Sequence, residues 1–140
     1  MTALNFSDGV AFLQGKYVPI ADASIPMTDW GFLRSDACYD MVTVWDGRFF
    51  RLDAHLERFM RSCRRWRLDP GLTPERVTEV LTQCVRLSGL RASYVEMICT
   101  RGKPPWGSRV THAWQATSSM PLPCPMSGSP MSNSVKLGFI

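Results

Sequence analysis

The chain has 140 residues, 45% of them hydrophobic and 20% charged, which is the composition of one globular domain. No apolar run is long enough to span a membrane, and the N-terminus lacks the basic start and apolar core of a signal peptide. The net charge of +4 comes from residues 101–140, which hold four of the 16 basic residues and none of the 12 acidic ones. These four basic residues are scattered along the segment and do not form the concentrated basic face that binding to nucleic acid or to an anionic membrane needs.

The cysteines occur at irregular spacing, with no Cys-x-x-Cys pair. They are Cys38, Cys63, Cys84, Cys99 and Cys124. An odd number of scattered cysteines is typical of reduced thiols in the cytoplasm and argues against a disulfide framework or a zinc site. We therefore expect a cytoplasmic protein that binds no metal ion.

Strand and turn signals dominate the first fifty residues. Residues 12–20 predict two strands joined by a turn at Gln14-Gly15. Residues 37–45, rich in β-branched and aromatic side chains, predict a longer strand. Asp46-Gly47 is a strong hairpin signal, after which residues 48–50 return along that strand.

Two helices are predicted after this hairpin. Asp53 is placed to cap a helix over residues 54–66, and Thr73-Pro74-Glu75 has the residues of a second helix start, with Gly89 suited to end that helix. The apolar stripe of the first helix is Leu56, Phe59, Met60, Cys63 and Trp66. The stripe of the second is Val77, Val80, Leu81 and Cys84.

The last patterned segment is residues 93–100, whose alternation predicts a strand with Tyr94, Glu96 and Ile98 on one face. Strands, two helices and a strand predict an α+β fold, in which two helices accompany an antiparallel sheet. Residues 101–140 instead hold six Pro, seven Ser and three Met, with no period of 2 or 3.6. We expect a domain over residues 1–109 and an irregular tail over residues 110–140, for which disorder is the default.

One stretch, residues 25–58, resembles the N-terminal small domain of fold-type-IV pyridoxal-phosphate (PLP) aminotransferases. It reads IPMTDWGFLRSDACYDMVTVWDGRFFRLDAHLER and contains a D-x-G-F turn, an S-D-x-x-Y-D strand start, a D-G hairpin and F-x-L-x-x-H-x-x-R. The resemblance extends over residues 9–106 and is closest to branched-chain, D-amino-acid and (R)-selective amine transaminases. It implies PLP-dependent transfer of an amino group between an amino acid or amine and a 2-keto acid, by an enzyme that is a homodimer when intact.

The resemblance also implies which residues bind cofactor and substrate. Arg58, three residues after His55, matches the arginine that binds the cofactor phosphate, and a guanidinium has paired donors for a phosphate dianion. The positions that match the substrate pocket are Arg34, Tyr39, Met41, Tyr94 and Glu96. Asp40 replaces a glutamate common in branched-chain enzymes, which puts branched-chain specificity in doubt, and we expect His55 to be structural.

Simpler roles stay open for these residues. Arg58 has the position of a solvated helix arginine, Arg34 of a surface residue and Tyr39 of a strand residue that packs. Glu96 would repel a keto acid, so either it points away or the acceptor is recognised elsewhere.

The catalytic lysine of the family lies in a second, larger domain. The lysines of this chain are Lys16, Lys103 and Lys136, none in a matching context, so we assign no catalytic residue and expect an inactive fragment. Read one nucleotide earlier, permitted codons for residues 117–129 spell V-F-Y-A-F-A-V-P-Y-V-W-I, which matches the strand found in relatives. This favours a shift of reading frame near Ser108-Arg109.

Other functions are compatible with the same sequence. A PLP enzyme similar to aminodeoxychorismate lyase would keep the fold and change the reaction, although the segment D-W-G-F-L-R-S-D argues against it. A non-catalytic interaction module would bind a partner through the surface that meets the large domain in relatives. A nucleic-acid module would depend on helix arginines that spread around the helix: Arg58, Arg61, Arg64, Arg65 and Arg67.

Overall fold

The computed structural model describes residues 4–103 and the backbone of residues 134–139. Strands β1 (Val10–Leu13) and β2 (Lys16–Pro19) form an antiparallel hairpin, followed by a 3₁₀ turn at Ile20–Asp22. Gln14 and Gly15 take positive φ angles of 50° and 78°, as a tight hairpin turn requires. The hairpin predicted around this turn is confirmed.

Helix α1 (Trp30–Arg34) is an element that the sequence did not predict. Asp29 caps it, because its Oδ1 accepts a hydrogen bond of 2.7 Å from the backbone N–H of Gly31. Ser35, in the left-handed conformation, ends it. Five residues are too few to show a helical period, so only the cap could have indicated this helix.

The strand and hairpin predicted at residues 37–50 are confirmed as β3 (Ala37–Trp45) and β4 (Arg48–Phe49). Asp46 and Gly47 both have positive φ, as the two central residues of a type I′ turn do.

Helix α2 (Leu52–Trp66) also forms, but two details predicted for it are wrong. Its N-cap is Arg51, which makes no side-chain cap bond, while Asp53 lies in the first turn, where a negative charge favours the helix dipole. Trp66 is 61% exposed. The turn after the helix brings Leu68 onto the core, because the N–H of Leu68 donates to the carbonyl of Cys63 at 2.9 Å.

Helix α3 (Pro74–Ser88) begins and ends where the sequence predicts. Thr73 Oγ1 accepts a hydrogen bond from the N–H of Arg76 at 3.3 Å, Pro74 opens the helix, and Gly89 ends it with φ of 66°. Strand β5 (Ala92–Thr100) follows and confirms the strand predicted at 93–100.

The main sheet has the order β4-β3-β5-β6, where β6 is Ser134–Phe139. Strands β3 and β5 pair antiparallel over their whole lengths, from Ala37 opposite Thr100 to Trp45 opposite Ala92. Strand β6 runs parallel to β5, so the irregular tail predicted over 110–140 is wrong for these six residues. Their apolar residues alternate with period 2 in the sequence, a pattern hidden by the Pro and Ser content around it. Residues 110–133 lie outside the described part.

The core lies between the helices and one face of this sheet. Helix α2 packs on β3, and α3 packs on β1 and α2. The side chains that are less than 2% exposed are mainly Val, Leu, Met and Phe from these elements: Val10, Val42, Val44, Phe59, Val77, Val80, Leu81, Val95 and Met97. Among the described residues, no helix is both long and apolar enough to cross a membrane.

Four cysteines belong to the same core and are free thiols: Cys38, Cys63, Cys84 and Cys99. The sulfurs of Cys38 and Cys63 are 3.2 Å apart. Burial raises the pKa of Cys84 to about 12. Since the thiolate is the reactive form, such a thiol is a packing group rather than a nucleophile.

The close approach of α1 to the end of β5 requires a glycine at residue 31. A Cβ atom on Gly31 would lie 2.6 Å from Cγ2 of Thr100 and 2.7 Å from its Cβ. Both distances are shorter than Cβ contacts in real proteins, so Thr100 or α1 would have to move.

We predict that Gly31→Ala destabilises the protein by about 1–3 kcal/mol, the usual cost of overpacking. In a helix with free space around residue 31 the same change would stabilise the protein by about 0.5–1 kcal/mol. The sign of the change in unfolding free energy therefore shows whether the position is crowded. Equilibrium unfolding in urea measures the difference. Adding Thr100→Ser removes Cγ2 and keeps Oγ1, so it should recover part of the loss. A stabilising Gly31→Ala would contradict the close approach.

Candidate functional site

A charged residue lies in the middle of the covered face of β3. The residues of β3 alternate strictly between exposed and buried, and Asp40 falls in the buried set with Cys38, Val42 and Val44. Its side chain is only 3% exposed. A carboxylate at such a position is costly unless hydrogen bonds and opposite charge compensate for its lost hydration.

The compensation comes from two residues of α2, one helical turn apart. Arg58 Nε donates to Asp40 Oδ2 at 2.6 Å, and Arg58 Nη2 donates to Oδ1 at 2.8 Å. His55 Nδ1 lies 2.9 Å from the same Oδ1. The spacing of three residues places both side chains on the face of α2 that packs on β3. Asp40 therefore accepts hydrogen bonds from both residues of the H-x-x-R motif.

The charges in this cluster stabilise one another. Burial alone would raise the pKa of Asp40, but the hydrogen bonds from Arg58 and His55 and the charge of Arg58 outweigh it, so that the pKa of this carboxyl lies below its usual value. The hydrogen bonds of Arg58 to Asp40 and the charge of Asp40 raise the pKa of Arg58.

Arg58 reaches from this buried carboxylate to the surface. Its side chain is 58% exposed, and its Nη1 amino group has no acceptor among the described residues. A guanidinium bound along one edge keeps donors on the other for an oxyanion. The described residues thus fit the phosphate end of a phosphorylated cofactor, with Arg58 as the donor group.

Four of the other five predicted residues lie on the open face of the sheet. Tyr39 and Met41 belong to the exposed set of β3, with 71% and 48% of their surfaces exposed. In the β3–β5 register Met41 is opposite Glu96, and Tyr94 is opposite Thr43. Directly paired residues share a face, so Tyr39, Met41, Tyr94 and Glu96 line one surface, as the alternation predicts.

Arg34 lies on a different element from this surface. It is the last residue of α1, and its guanidinium carbon is 5.1 Å from the centre of the Trp30 ring, a cation–π distance. The structure therefore joins Arg58 with Asp40 and His55, and groups four substrate candidates on the sheet. It does not bring Arg34 into either group.

Sequence reasoning missed the polar contacts that hold the D-W-G-F-L-R-S-D turn against the end of β5. Thr100 Oγ1 donates to Asp29 Oδ2 at 3.0 Å and accepts from the N–H of Gly102 at 3.1 Å. Asp36 pairs with Arg101 through two hydrogen bonds of 2.9 and 3.0 Å. The two aspartates of the turn and the T-R-G segment were visible in the sequence, but their pairing over 65 or more positions was not.

Arg101 also connects this turn to the C-terminus of α2. Its Nη2 donates to the carbonyl of Trp66 at 2.8 Å, and its Nη1 donates to the carbonyl of Arg67 at 2.7 Å. Carbonyls at a helix C-terminus have no partner within the helix, and a cation there also favours the helix dipole. Arg101 thus fixes the turn, β5 and α2 relative to one another.

Among the described residues, no group of three or more His, Cys, Asp and Glu side chains is arranged to hold a metal ion.

Comparison with known proteins shows the family to which the chain belongs. The family model for amino-transferase class IV matches residues 37–132, which is more than half of the chain. The chain belongs to the class IV aminotransferase family, whose members act on small molecules, and the predicted family is confirmed.

Curated relatives of known name are similar to about two thirds of the chain. A putative branched-chain-amino-acid aminotransferase of Methanocaldococcus jannaschii is 32% identical over 91 residues, covering 65% of this chain and 32% of that protein. A D-alanine aminotransferase of Staphylococcus haemolyticus is 28% identical over 94 residues, covering 67% of this chain and 33% of that protein. The chain therefore spans about a third of the length of the curated relatives it matches.

The same fold occurs in solved structures. The branched-chain aminotransferase of the archaeon Thermoproteus uzoniensis has a TM-score of 0.60 and 24% identity, and the match covers 69% of this chain and 34% of that one. A branched-chain amino acid aminotransferase solved with pyridoxamine 5'-phosphate has a TM-score of 0.66 and 21% identity, covering 74% of this chain and 35% of that one. At these identities the likeness shows the fold alone. It confirms the predicted α+β fold of a class IV small domain.

We predict that Asp40→Asn destabilises the protein at neutral pH by about 1–3 kcal/mol, because it weakens a buried set of charged hydrogen bonds. The folded-state pKa of Asp40 is lowered, so its stabilisation is present above the unfolded-state value of about 3.9 and is lost as pH falls through the folded-state value. The difference in free energy of unfolding between the unsubstituted protein and Asp40→Asn should therefore narrow below about pH 4. Urea unfolding at several pH values measures it.

The exposed Asp8→Asn change is the matched control, since it removes the same charge from a solvated side chain. It should leave stability nearly unchanged at neutral pH. A gap between Asp40→Asn and the unsubstituted protein that stays constant from neutral to acidic pH would contradict the role assigned to the carboxylate.

Proposed function

We propose that this chain is the cofactor-phosphate-binding part of a PLP-dependent aminotransferase that moves an amino group between an amino acid or amine and a 2-keto acid. The observation that supports this most is the orientation of Arg58, which is fixed on a buried carboxylate while its outer amino group is free to bind an anion. Family membership supports the reaction class.

Each residue of the cluster has a separate task in this proposal. Arg58 binds the phosphate of PLP through charged hydrogen bonds. Asp40 and His55 hold Arg58 against β3. PLP, when bound, supplies the conjugated ring that withdraws electrons from the carbon bearing the amino group.

The open face of the sheet is the proposed wall of the substrate site. Tyr39 offers a ring for stacking and a hydroxyl for orientation, and Met41 offers an adaptable apolar contact. Tyr94 and Glu96 extend this surface on β5, and Glu96 would favour an amine over a second carboxylate nearby. Arg34 would bind a substrate carboxylate if it left the Trp30 ring.

The partners proposed for the intact enzyme are a small-molecule amino donor, a keto acid and a second copy of the same chain. Nucleic acid and membrane are not among them, because residues 1–100 hold equal numbers of acidic and basic residues. The buried free thiols support the cytoplasm, a reducing compartment, as its location.

We predict that the purified chain binds PLP more tightly than pyridoxal, which lacks the phosphate, and that Arg58→Gln removes most of this preference. The loss should be about ten- to a hundredfold in the ratio of the two dissociation constants, as expected for hydrogen bonds to a charged group. Quenching of tryptophan fluorescence gives both constants. No amino-group transfer is expected from the chain alone.

Arg64→Gln is the control for this experiment. It removes an equal charge from an exposed residue of the same helix, so a general electrostatic effect would appear in both variants. Equal binding of PLP and pyridoxal by the unsubstituted chain would defeat the proposal and favour a non-catalytic interaction module. Release of a product without amino-group transfer by an intact homologue would instead favour a lyase.

We also propose that residues from about 110 onward are translated out of frame. The abrupt loss of acidic residues after residue 100 supports this, whereas the family match to residue 132 and the pairing of β6 with β5 weigh against it. Sequencing the gene from codon 100 onward should reveal the neighbouring frame continuing into a second domain with a lysine. A neighbouring frame that is closed by stop codons would refute the shift.

A further inference from the structure

The way in which Asp40 binds Arg58 suggests a function beyond neutralising its charge. The carboxylate accepts hydrogen bonds of 2.6 and 2.8 Å from Nε and Nη2, which form one edge of the guanidinium. A planar fork bound on one edge has one orientation left, in which Nη1 points away from the carboxylate. The carboxylate is buried on a nine-residue strand, whereas Arg58 is largely exposed. The buried Asp40 therefore fixes the orientation of the exposed Arg58 side chain.

His55 fixes the carboxylate in turn. Its Nδ1 lies 2.9 Å from Asp40 Oδ1 and 3.2 Å from Arg58 Nη2. A proton on Nδ1 makes the shorter contact a hydrogen bond and excludes acceptance from Nη2. In that tautomer His55 adds a third donor to Asp40, which restricts rotation of the carboxylate.

We propose that Asp40, held by His55, is a positioning residue that pre-orients Arg58 for a phosphate monoester. This inference rests on the proposed function, in which Arg58 binds the cofactor phosphate. An arginine free in solvent must lose rotation about several bonds when it binds a ligand, and this loss weakens binding. In this chain the loss has already occurred on folding, because Asp40 holds the side chain in place.

A positioning role and a purely electrostatic effect of Asp40 predict opposite changes in phosphate affinity for the same substitution. Asp40→Asn removes a negative charge close to Arg58, so electrostatics alone would make phosphate binding tighter. If Asp40 acts by orientation, the same change makes phosphate binding weaker. The direction of the change therefore separates a positioning residue from a carboxylate that only lowers the local positive potential.

The experiment compares PLP and pyridoxal binding to the full 140-residue chain and to its Asp40→Asn, Asp40→Glu and His55→Ala variants. Positioning predicts that Asp40→Asn lowers the preference for PLP about tenfold, as for loss of one charged hydrogen bond. Asp40→Glu keeps the carboxylate and should restore part of the preference, and His55→Ala should lower it by a smaller factor. Near-ultraviolet circular dichroism checks that each variant is folded.

The outcomes distinguish this inference from the proposed function. If Arg58→Gln abolishes the preference while Asp40→Asn leaves it equal or stronger, the positioning role is overturned and the function stands. If the unsubstituted chain shows no preference for PLP, the function fails and the inference fails with it. If Asp40→Asn does not fold, His55→Ala decides, and a preference equal to that of the unsubstituted chain overturns the inference.

Discussion

The pairing of β3 with β5 is the constraint on which the other features depend. Nine consecutive pairs, from Ala37 opposite Thr100 to Trp45 opposite Ala92, fix which residues face the helices and which face outward. A slip of one residue would exchange the two faces, and Asp40 would lose both partners on α2. The same register places Met41 opposite Glu96 on the open face. Asp40, the partner of Arg58, and the proposed substrate-facing residues Tyr39 and Met41 thus lie on opposite faces of one strand.

A second set of contacts holds one end of this strand pair, where Ala37 lies opposite Thr100. Asp29 and Asp36 lie on either side of α1, and they bind Thr100 and Arg101, which are adjacent at the end of β5. Arg101 continues to the last carbonyls of α2. The helix that carries Arg58 is therefore held at two places, by Asp40 at His55 and Arg58 and by Arg101 at its C-terminus. Because a binding group is only as precise as its support, these contacts bear on function as well as on stability.

Much of the fold could be predicted because its signals are local. Asp46-Gly47, the cap at Thr73 and the alternation of β5 each depend on a few neighbouring residues, and each is found where predicted. The misses have two causes: α1 is too short to show a helical period, and a turn outside the helical pattern decides which residue is buried at the end of α2. The sequence shows Trp66 at a helical spacing, but the return of Leu68 after the helix decides which of the two is buried. Strand β6 was missed for another reason, since its short alternation of apolar residues lies within a segment rich in Pro and Ser.

The sequence by itself determined the class IV family, the helices and strands of residues 10–100 other than α1, and Arg58 as a candidate for phosphate binding, because motifs and periodicity are properties of neighbouring residues. Only the tertiary structure showed that Asp40 is the partner of Arg58. A carboxylate within a strand is a local fact, but its burial beneath α2 and its three hydrogen-bond donors arise from packing between residues 15 and 18 positions apart. In the sequence Asp40 is only a departure from the glutamate of relatives. The fold buries it and brings Arg58 against it, and this charged partner compensates for the hydration that the carboxylate loses.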